Sequence, residues 1–307
     1  MKKAFLFLLA SLVGFIVLPP VWFAIFPVMK PDLPPPGRRV TVAPTLSVNV
    51  IEQGSGPTVV LIHDHPGSAY DWRPLMGELA TRGFHVLAYD RVGYGYSGRR
   101  HNHDYTVDAN AEELLGLLDA DRLEKVTVVG HSYGGGVAII GARKDPSRMS
   151  RLVLLGSVGP GIENRGVPPQ FVTNFIAGPV LGWLSRVPPL SKRLRAMVTA
   201  RAFHPGPISD GYLALLDANF ARPYTAWTFR YEGRDLGGKA NLDPKQIELP
   251  ILIIQGDGDR LVPPSVAEEL HRRAPGSELW MIEGGSHMLQ ITHAEALADR
   301  IAAFARQ

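Results

Sequence analysis

Apolar and polar residues follow one another along the chain in two rhythms. Short runs rich in β-branched residues, each the length of a buried strand, fall at Leu46–Glu52, Thr58–His63, His85–Tyr89, Val126–Gly130, Arg151–Gly156, Ile251–Gly256 and Glu278–Glu283. Between them the apolar spacing lengthens to three or four residues. That predicts helices at Trp72–Arg82, Val107–Leu118, Gly134–Lys144, Pro264–Arg273 and Ala294–Arg306. Such alternation is what a mostly parallel, doubly wound α/β sheet requires. From Gly159 to about Asp243 it stops. That stretch is aromatic and broken by prolines, with Phe171, Phe175, Trp183, Phe203, Tyr212, Phe220 and Trp227. It is helical in pattern over residues 160–243, after the sixth predicted strand pattern. Most of its aromatics would pack a small core of their own. No internal repeat is evident.

The N-terminus departs from this pattern. Lys2-Lys3 precede an uncharged run from Ala4 to Val28, and a helix crossing a bilayer takes roughly 20 residues. Pro19-Pro20 interrupts the run, no small-residue cleavage site follows, and Trp22-Phe23 suits a membrane interface. Residues 1–28 are therefore expected to be a membrane anchor, with a cleaved signal segment as the alternative. Residues 29–45, with Pro31, Pro34, Pro35, Pro36 and Pro44, read as an extended linker. The α/β core is expected at 46–159 and 244–307. On this reading the protein is single-pass and membrane-anchored, and its basic start places the globular part on the exported side. A net charge of +3 with no basic stripe gives no support for nucleic acid as a partner. The absence of cysteine rules out a disulfide framework. No pattern speaks to oligomeric state.

The candidate chemistry centres on Ser132. It lies in Gly130-His131-Ser132-Tyr133-Gly134, between the apolar run Val126-Thr127-Val128-Val129 and the helical pattern that begins at Gly134. Strand, tight glycine-bounded turn and helix form the context that exposes a serine hydroxyl above a sheet edge. Serine alone is a poor nucleophile; it needs a base, and the base needs an orienting acid. An acidic turn, Gly256-Asp257-Gly258-Asp259, follows one strand pattern, and Gly284-Gly285-Ser286-His287 follows another. Both therefore sit where open α/β sheets gather their sites.

At these residues the chain resembles the α/β-hydrolase family, from about Leu46 to the C-terminus. His63-Asp64-His65-Pro66-Gly67-Ser68 is similar to the family's oxyanion loop, and Asp90-Arg91-Val92-Gly93-Tyr94-Gly95-Tyr96-Ser97 to its D-R-x-G-x-G-x-S turn. The motif style is that of the branch containing epoxide hydrolases, haloalkane dehalogenases and haloperoxidase-like esterases. The resemblance implies Ser132 as nucleophile, His287 as general base and Asp259 as orienter. It also implies an oxyanion hole made by the backbone N–H groups of Tyr133 and His65, and a helical cap at residues 160–243 with a few of its aromatics facing the nucleophile. Asp259 fits the family's acid spacing, and Asp257 is expected to bond local backbone. His293 is expected at the surface. His131, beside the nucleophile, is expected to point away from it, and His63 to hold the loop. The pairs His63/His65 and His101/His103 lack further ligands at metal spacing, so neither metal nor cofactor is expected.

Two departures bear on function. Epoxide hydrolases and haloalkane dehalogenases attack sp³ carbon with aspartate; serine would leave an ether that water does not readily cleave, so Ser132 points to acyl chemistry. Carbon–carbon bond hydrolases of the family often carry Asn where this chain has His131. The second departure is Asp64, in place of the family's glycine. Aspartate tolerates the left-handed backbone region, so Asp64 is expected to fill that conformation with its side chain turned away; the competing reading is a carboxylate close to the oxyanion. The expected function is a serine hydrolase that cleaves a carboxylic ester or related acyl bond of an apolar small molecule through an acyl-enzyme. Alternatives are an acyltransferase, a carbon–carbon bond hydrolase and a membrane-tethered binding protein on the same fold.

Overall fold

Period-two burial assembles the sheet. In β3 (Thr58–Ile62), Val60 and Ile62 join one apolar cluster, while Val59 and Leu61 join another on the opposite face. The computed structural model describes residues 37–100, 103–160, 162, 200–204, 212–213, 215–216, 219, 228, 231–232 and 241–307. Its other strands are β1 (Arg38–Ala43), β2 (Leu46–Gln53), β4 (His85–Asp90), β5 (Val126–His131), β6 (Met149–Leu155), β7 (Ile251–Gly256) and β8 (Glu278–Ile282). They form one sheet in the order β1-β2-β4-β3-β5-β6-β7-β8. Strand β2 runs antiparallel to β1 and β4, and the remaining pairs are parallel.

Helices cover both faces, as a parallel sheet requires. On one side lie α2 (Val107–Ala120), α3 (Tyr133–Lys144) and α4 (Pro264–Arg273). On the other lie α1 (Arg73–Thr81) and α6 (Ala294–Ala305), preceded by the short α5 (Leu289–Thr292). Helix starts follow local chemistry: the Thr106 side chain accepts from the Ala109 N–H at α2, and Pro264 opens α4 where its missing N–H costs nothing. Central strand β5 is buried along its whole length, which explains why it reads as a continuous apolar run. Because β3 to β8 share one direction, the residues that follow β3, β4, β5, β7 and β8 gather at a single edge.

Several expectations are corrected. Residues 38–43 are not spacer but strand β1, with Val40 buried and set opposite Val48. Arg38 ties the strand down through Glu52 at 2.7 Å and Asp121 at 2.5 Å. The neighbouring prolines had masked a short alternating pattern. The sequence patterns place only five strands before residue 160; β1 supplies the sixth, so the segment expected as a cap does follow the sixth strand of the sheet. Its described residues at 200–203, 212–213, 215–216, 219, 228 and 231–232 are helical.

The membrane-anchored, single-pass location is also corrected. Among the described residues no helix is long and apolar enough to cross a membrane. The described helices run to 14 residues at most, and residues 1–28, to which the anchor was assigned, lie outside the described residues.

Candidate active site

Ser132 is held in a conformation that non-glycine residues rarely adopt, with φ of 52° and ψ of −116°. Strand β5 ends at His131 and α3 begins at Tyr133, so one residue makes the whole reversal. The turn is tight enough that a Cβ at Gly130 or Gly134 would collide with backbone, which is why glycines flank the serine. Main-chain bonds fix it: the Ser132 N–H donates to Leu155 O at 3.0 Å, and its carbonyl accepts from Gly135 and Val158. Such strain, over-determined by its surroundings, marks functional turns. Tyr133 stands at the start of α3, where the helix dipole is positive.

His287 and Asp259 meet at the same edge. Asp259 Oδ2 lies 2.7 Å from His287 Nδ1. The carboxylate also accepts from Gln255 Nε2 at 3.0 Å and, through Oδ1, from the backbone N–H groups of Leu261 and Val262 at 2.8 and 2.9 Å. Burial raises its pKa, but His287 and the two backbone donors outweigh burial and hold it below the ordinary carboxylate value. Burial lowers the His287 pKa; Asp259, with a smaller contribution from Asp64, reverses that and leaves it raised. With Nδ1–H committed to Asp259, Nε2 is the nitrogen left to receive a proton. Asp257 stands apart, exposed and bonded to the Gly284 N–H at 2.7 Å.

The loop after β3 is locked by two buried groups. His63 donates Nδ1–H to Asp64 O at 2.8 Å and accepts the Arg91 N–H on Nε2 at 2.9 Å. Burial, then Arg91, pushes its pKa well down, so it stays neutral. Arg91 is fully buried and donates to the carbonyls of His63 and Asp64, to Asn110 Oδ1 and to Glu232. Glu232, from the helical segment after β6, also lies 2.5 Å from His65 Nδ1 and accepts from the Tyr94 hydroxyl at 2.6 Å. Burial raises Glu232, but Arg91 and His65 more than compensate and keep it ionised.

Sequence reasoning placed two residues wrongly. His131 does not diverge from the site: its ring centroid lies 4.6 Å from that of His287, and its Nε2–H donates to His287 O at 2.9 Å. Asp64 is not at positive φ, which among described non-glycine residues occurs only at Arg122, Lys125 and Ser132. Nor is its side chain turned away: Oδ2 lies 4.0 Å from His131 Nδ1. Gln255 and Glu232 carried no sequence signal, since each acts through a partner brought close only by folding. Of the aromatics in the segment after β6, Phe203 and Tyr212 are buried against Met288, next to His287; Phe171, Phe175, Trp183, Phe220 and Trp227 lie outside the described residues.

Asp64, His131 and His287 could each offer an atom to a cation, all within 4.8 Å of one another. A cation there would occupy the second nitrogen of His287, the atom that proton transfer from a serine needs. Metal binding and serine chemistry are thus competing uses of one imidazole.

A sheet of this order with a strained serine turn above it defines a class, and the sequence comparison agrees: the chain belongs to the alpha/beta hydrolase family, whose model matches residues 59–300. It is a hydrolase. It is 30% identical over 265 residues to a 2-hydroxy-6-oxo-2,4-heptadienoate hydrolase of Pseudomonas putida, covering 82% of this chain and 90% of that one. A solved meta-cleavage product hydrolase from Pseudomonas fluorescens shares 26% identity at a TM-score of 0.71, over 88% of this chain and 97% of that one. An esterase from Exiguobacterium antarcticum shares the fold at 20% identity and a TM-score of 0.73, over 88% of this chain and 100% of that one.

Proposed function

We propose that the protein is a serine hydrolase that cleaves a carboxylic ester or related acyl bond. The observation that carries this reading is the Asp259–His287 pair at 2.7 Å, set at the same sheet edge as the strained Ser132 turn. Ser132 Oγ attacks the carbonyl carbon as His287 Nε2 takes its proton. The negative oxygen of the tetrahedral intermediate is held by the N–H groups of Tyr133 and His65. Collapse expels the alcohol, which leaves with the proton from His287, and an acyl-Ser132 remains. Water then adds by the same route in reverse and releases the acid. Asp259 holds the imidazole tautomer and offsets its transient charge. The buried Phe203, Tyr212 and Met288 beside His287 support an apolar acyl group.

The relatives favour a second reading. Those named 2-hydroxy-6-oxo-2,4-heptadienoate hydrolase and 2-hydroxymuconate semialdehyde hydrolase, at 28–30% identity, suggest carbon–carbon bond cleavage. There the carbonyl under attack is a ketone, and the leaving carbon must receive the proton.

One experiment separates the two. 4-Nitrophenyl esters from acetate to palmitate, and a 2-hydroxy-6-oxo-dienoate followed by its ultraviolet absorbance, are offered to the wild type and to Ser132→Ala. Ester turnover that falls by about 10⁶ in the variant supports the acyl reading. Turnover of the dienoate alone transfers the proposal to carbon–carbon cleavage, and ester turnover that survives in Ser132→Ala overturns the assignment of the nucleophile.

A further inference from the structure

Asp64 carries a carboxyl that the relay of Ser132, His287 and Asp259 does not use. Its main chain is fixed, since the carbonyl accepts from His63 Nδ1–H and from Arg91 Nη2, each at 2.8 Å. Its side chain is only 8% exposed. One oxygen lies within 4.8 Å of a ring nitrogen of His287. Oδ1 is buried with no hydrogen-bond partner among the described residues. A buried carboxylate oxygen without a donor is costly, and this one sits beside the catalytic imidazole, on the loop that carries the proposed oxyanion donor His65. The fold makes room for it: a Cβ at Gly67 would collide with Oδ1.

The neighbouring charges do not cancel it. Arg91 faces Glu232, and its remaining donors go to Asn110 and to main-chain carbonyls; His65 turns to the same Glu232. His131 gives Nε2–H to a carbonyl, so Nδ1 is a lone pair, shared with the Gln290 amide at 3.1 Å. Burial, then His287, holds the His131 pKa well down, and the ring is neutral. Asp71, the other buried acid at Gly67, accepts the Ser68 N–H at 2.9 Å, and burial and Asp64 push its pKa well up. What remains is two carboxylates, Asp64 and Asp259, around one imidazole. When His287 is neutral, as attack requires, the centre is negative. As imidazolium it balances only one of the two.

We infer that Asp64 is a specificity-determining residue that sorts substrates by charge. It opposes an acyl group bearing an anion near the scissile carbonyl. It favours neutral or cationic acyl groups, whose ammonium or N–H would meet Oδ1. The inference rests on the serine-hydrolase reading of the site.

The test uses three 4-nitrophenyl esters of matched length on the full chain: the pentanoate, the glutarate half-ester with its free carboxylate, and the 4-(trimethylammonio)butyrate. It is run at pH 8, above the value of about 6 to which burial pushes the Asp64 carboxyl. In the wild type kcat/KM for the cationic ester should exceed that for the anionic one by about 100-fold, with the neutral ester between. Asp64→Asn and Asp64→Gly, the latter restoring the family residue, should each compress that ratio by at least about tenfold. Asp108→Asn, an equal charge change on the exposed side of α2, should leave the ratio as it is. A wild-type ratio near one, or a ratio untouched in both Asp64 variants, overturns the inference and leaves ester hydrolysis standing. A wild type that turns over none of the three esters removes the reading of the site, and the inference falls with it.

Discussion

His131 donates its Nε2–H to the main-chain carbonyl of His287 at 2.9 Å, so the residue preceding the serine holds the loop that carries the histidine. The bond joins the end of β5 to the turn after β8 and fixes where the imidazole sits. His131→Phe keeps the ring packed between Trp72 and His287 but leaves that carbonyl buried without its donor, a loss of about 1–3 kcal/mol. If His131 positions His287, kcat on an ester should fall about tenfold with KM within threefold. A variant whose kcat is unchanged would mean that His131 only fills space.

The acid side of the activity profile should belong to His287. Attack needs its neutral form, and its pKa stands above the ordinary 6.5. kcat/KM should therefore climb with pH through a midpoint above that value. Burial works against this rise, while Asp259 and then Asp64 drive it. Asp64→Asn removes one driver, so its limb should move to lower pH in a profile recorded from pH 5 to 9. A limb that stays in place would show that the Asp64 charge does not reach the imidazole.

Stability should carry the opposite mark of Asp64. Burial raises this acid from 3.8 to about 6, against smaller lowering by His287, His65 and Arg91. An acid raised on folding favours the protonated folded state, so the contribution of Asp64 to stability is fully present below 3.8 and is lost as pH rises through 6. The loss is up to about 3 kcal/mol once the group is fully ionised. Asp259, held below 3.8, loses its contribution only at still lower pH and is silent in this window. Asp64→Asn should therefore be more stable than the wild type at pH 8 in urea unfolding, and the gain should shrink toward pH 4. A difference that is flat across that range would contradict an ionising Asp64.

Glu232→Gln leaves Arg91 charged and buried without its carboxylate. Breaking one side of such a pair costs about 3–5 kcal/mol, so the variant's Tm should drop by several degrees. The double change Arg91→Met with Glu232→Leu should recover part of it. An unshifted Tm in Glu232→Gln would show that Arg91 does not depend on that carboxylate.

Much of the fold could be read from the chain because its strands are buried on both faces. Continuous apolar runs such as Val126–Val129 need no partner to be seen. Ser132, Asp259 and His287 announced themselves for a similar reason: each follows such a run within a few residues, in a glycine-rich turn. Strand β1 was missed because it lies at the sheet's edge, where only Val40 is buried and prolines crowd its start. His131, Gln255 and Glu232 were not legible at all. Their roles arise from contacts across 156, 4 and 141 residues, of which the short one depends on a turn that aims a buried amide back at Asp259. Asp64 was visible as a departure, yet its direction was not: the backbone conformation expected of it is simply not the one it adopts.

The Arg91–Glu232 pair also sets a rule for recombination. In this family layout the segment after β6 looks like an exchangeable module, since its ends enter and leave at neighbouring strands. Here the module carries the counter-ion for an arginine fixed in the host, and that arginine clamps the loop of His63 and Asp64. A transplanted segment lacking an acid at this point would strand the arginine and slacken the loop beneath it. Chimeras and natural descendants of this chain must therefore inherit the two residues together or lose both.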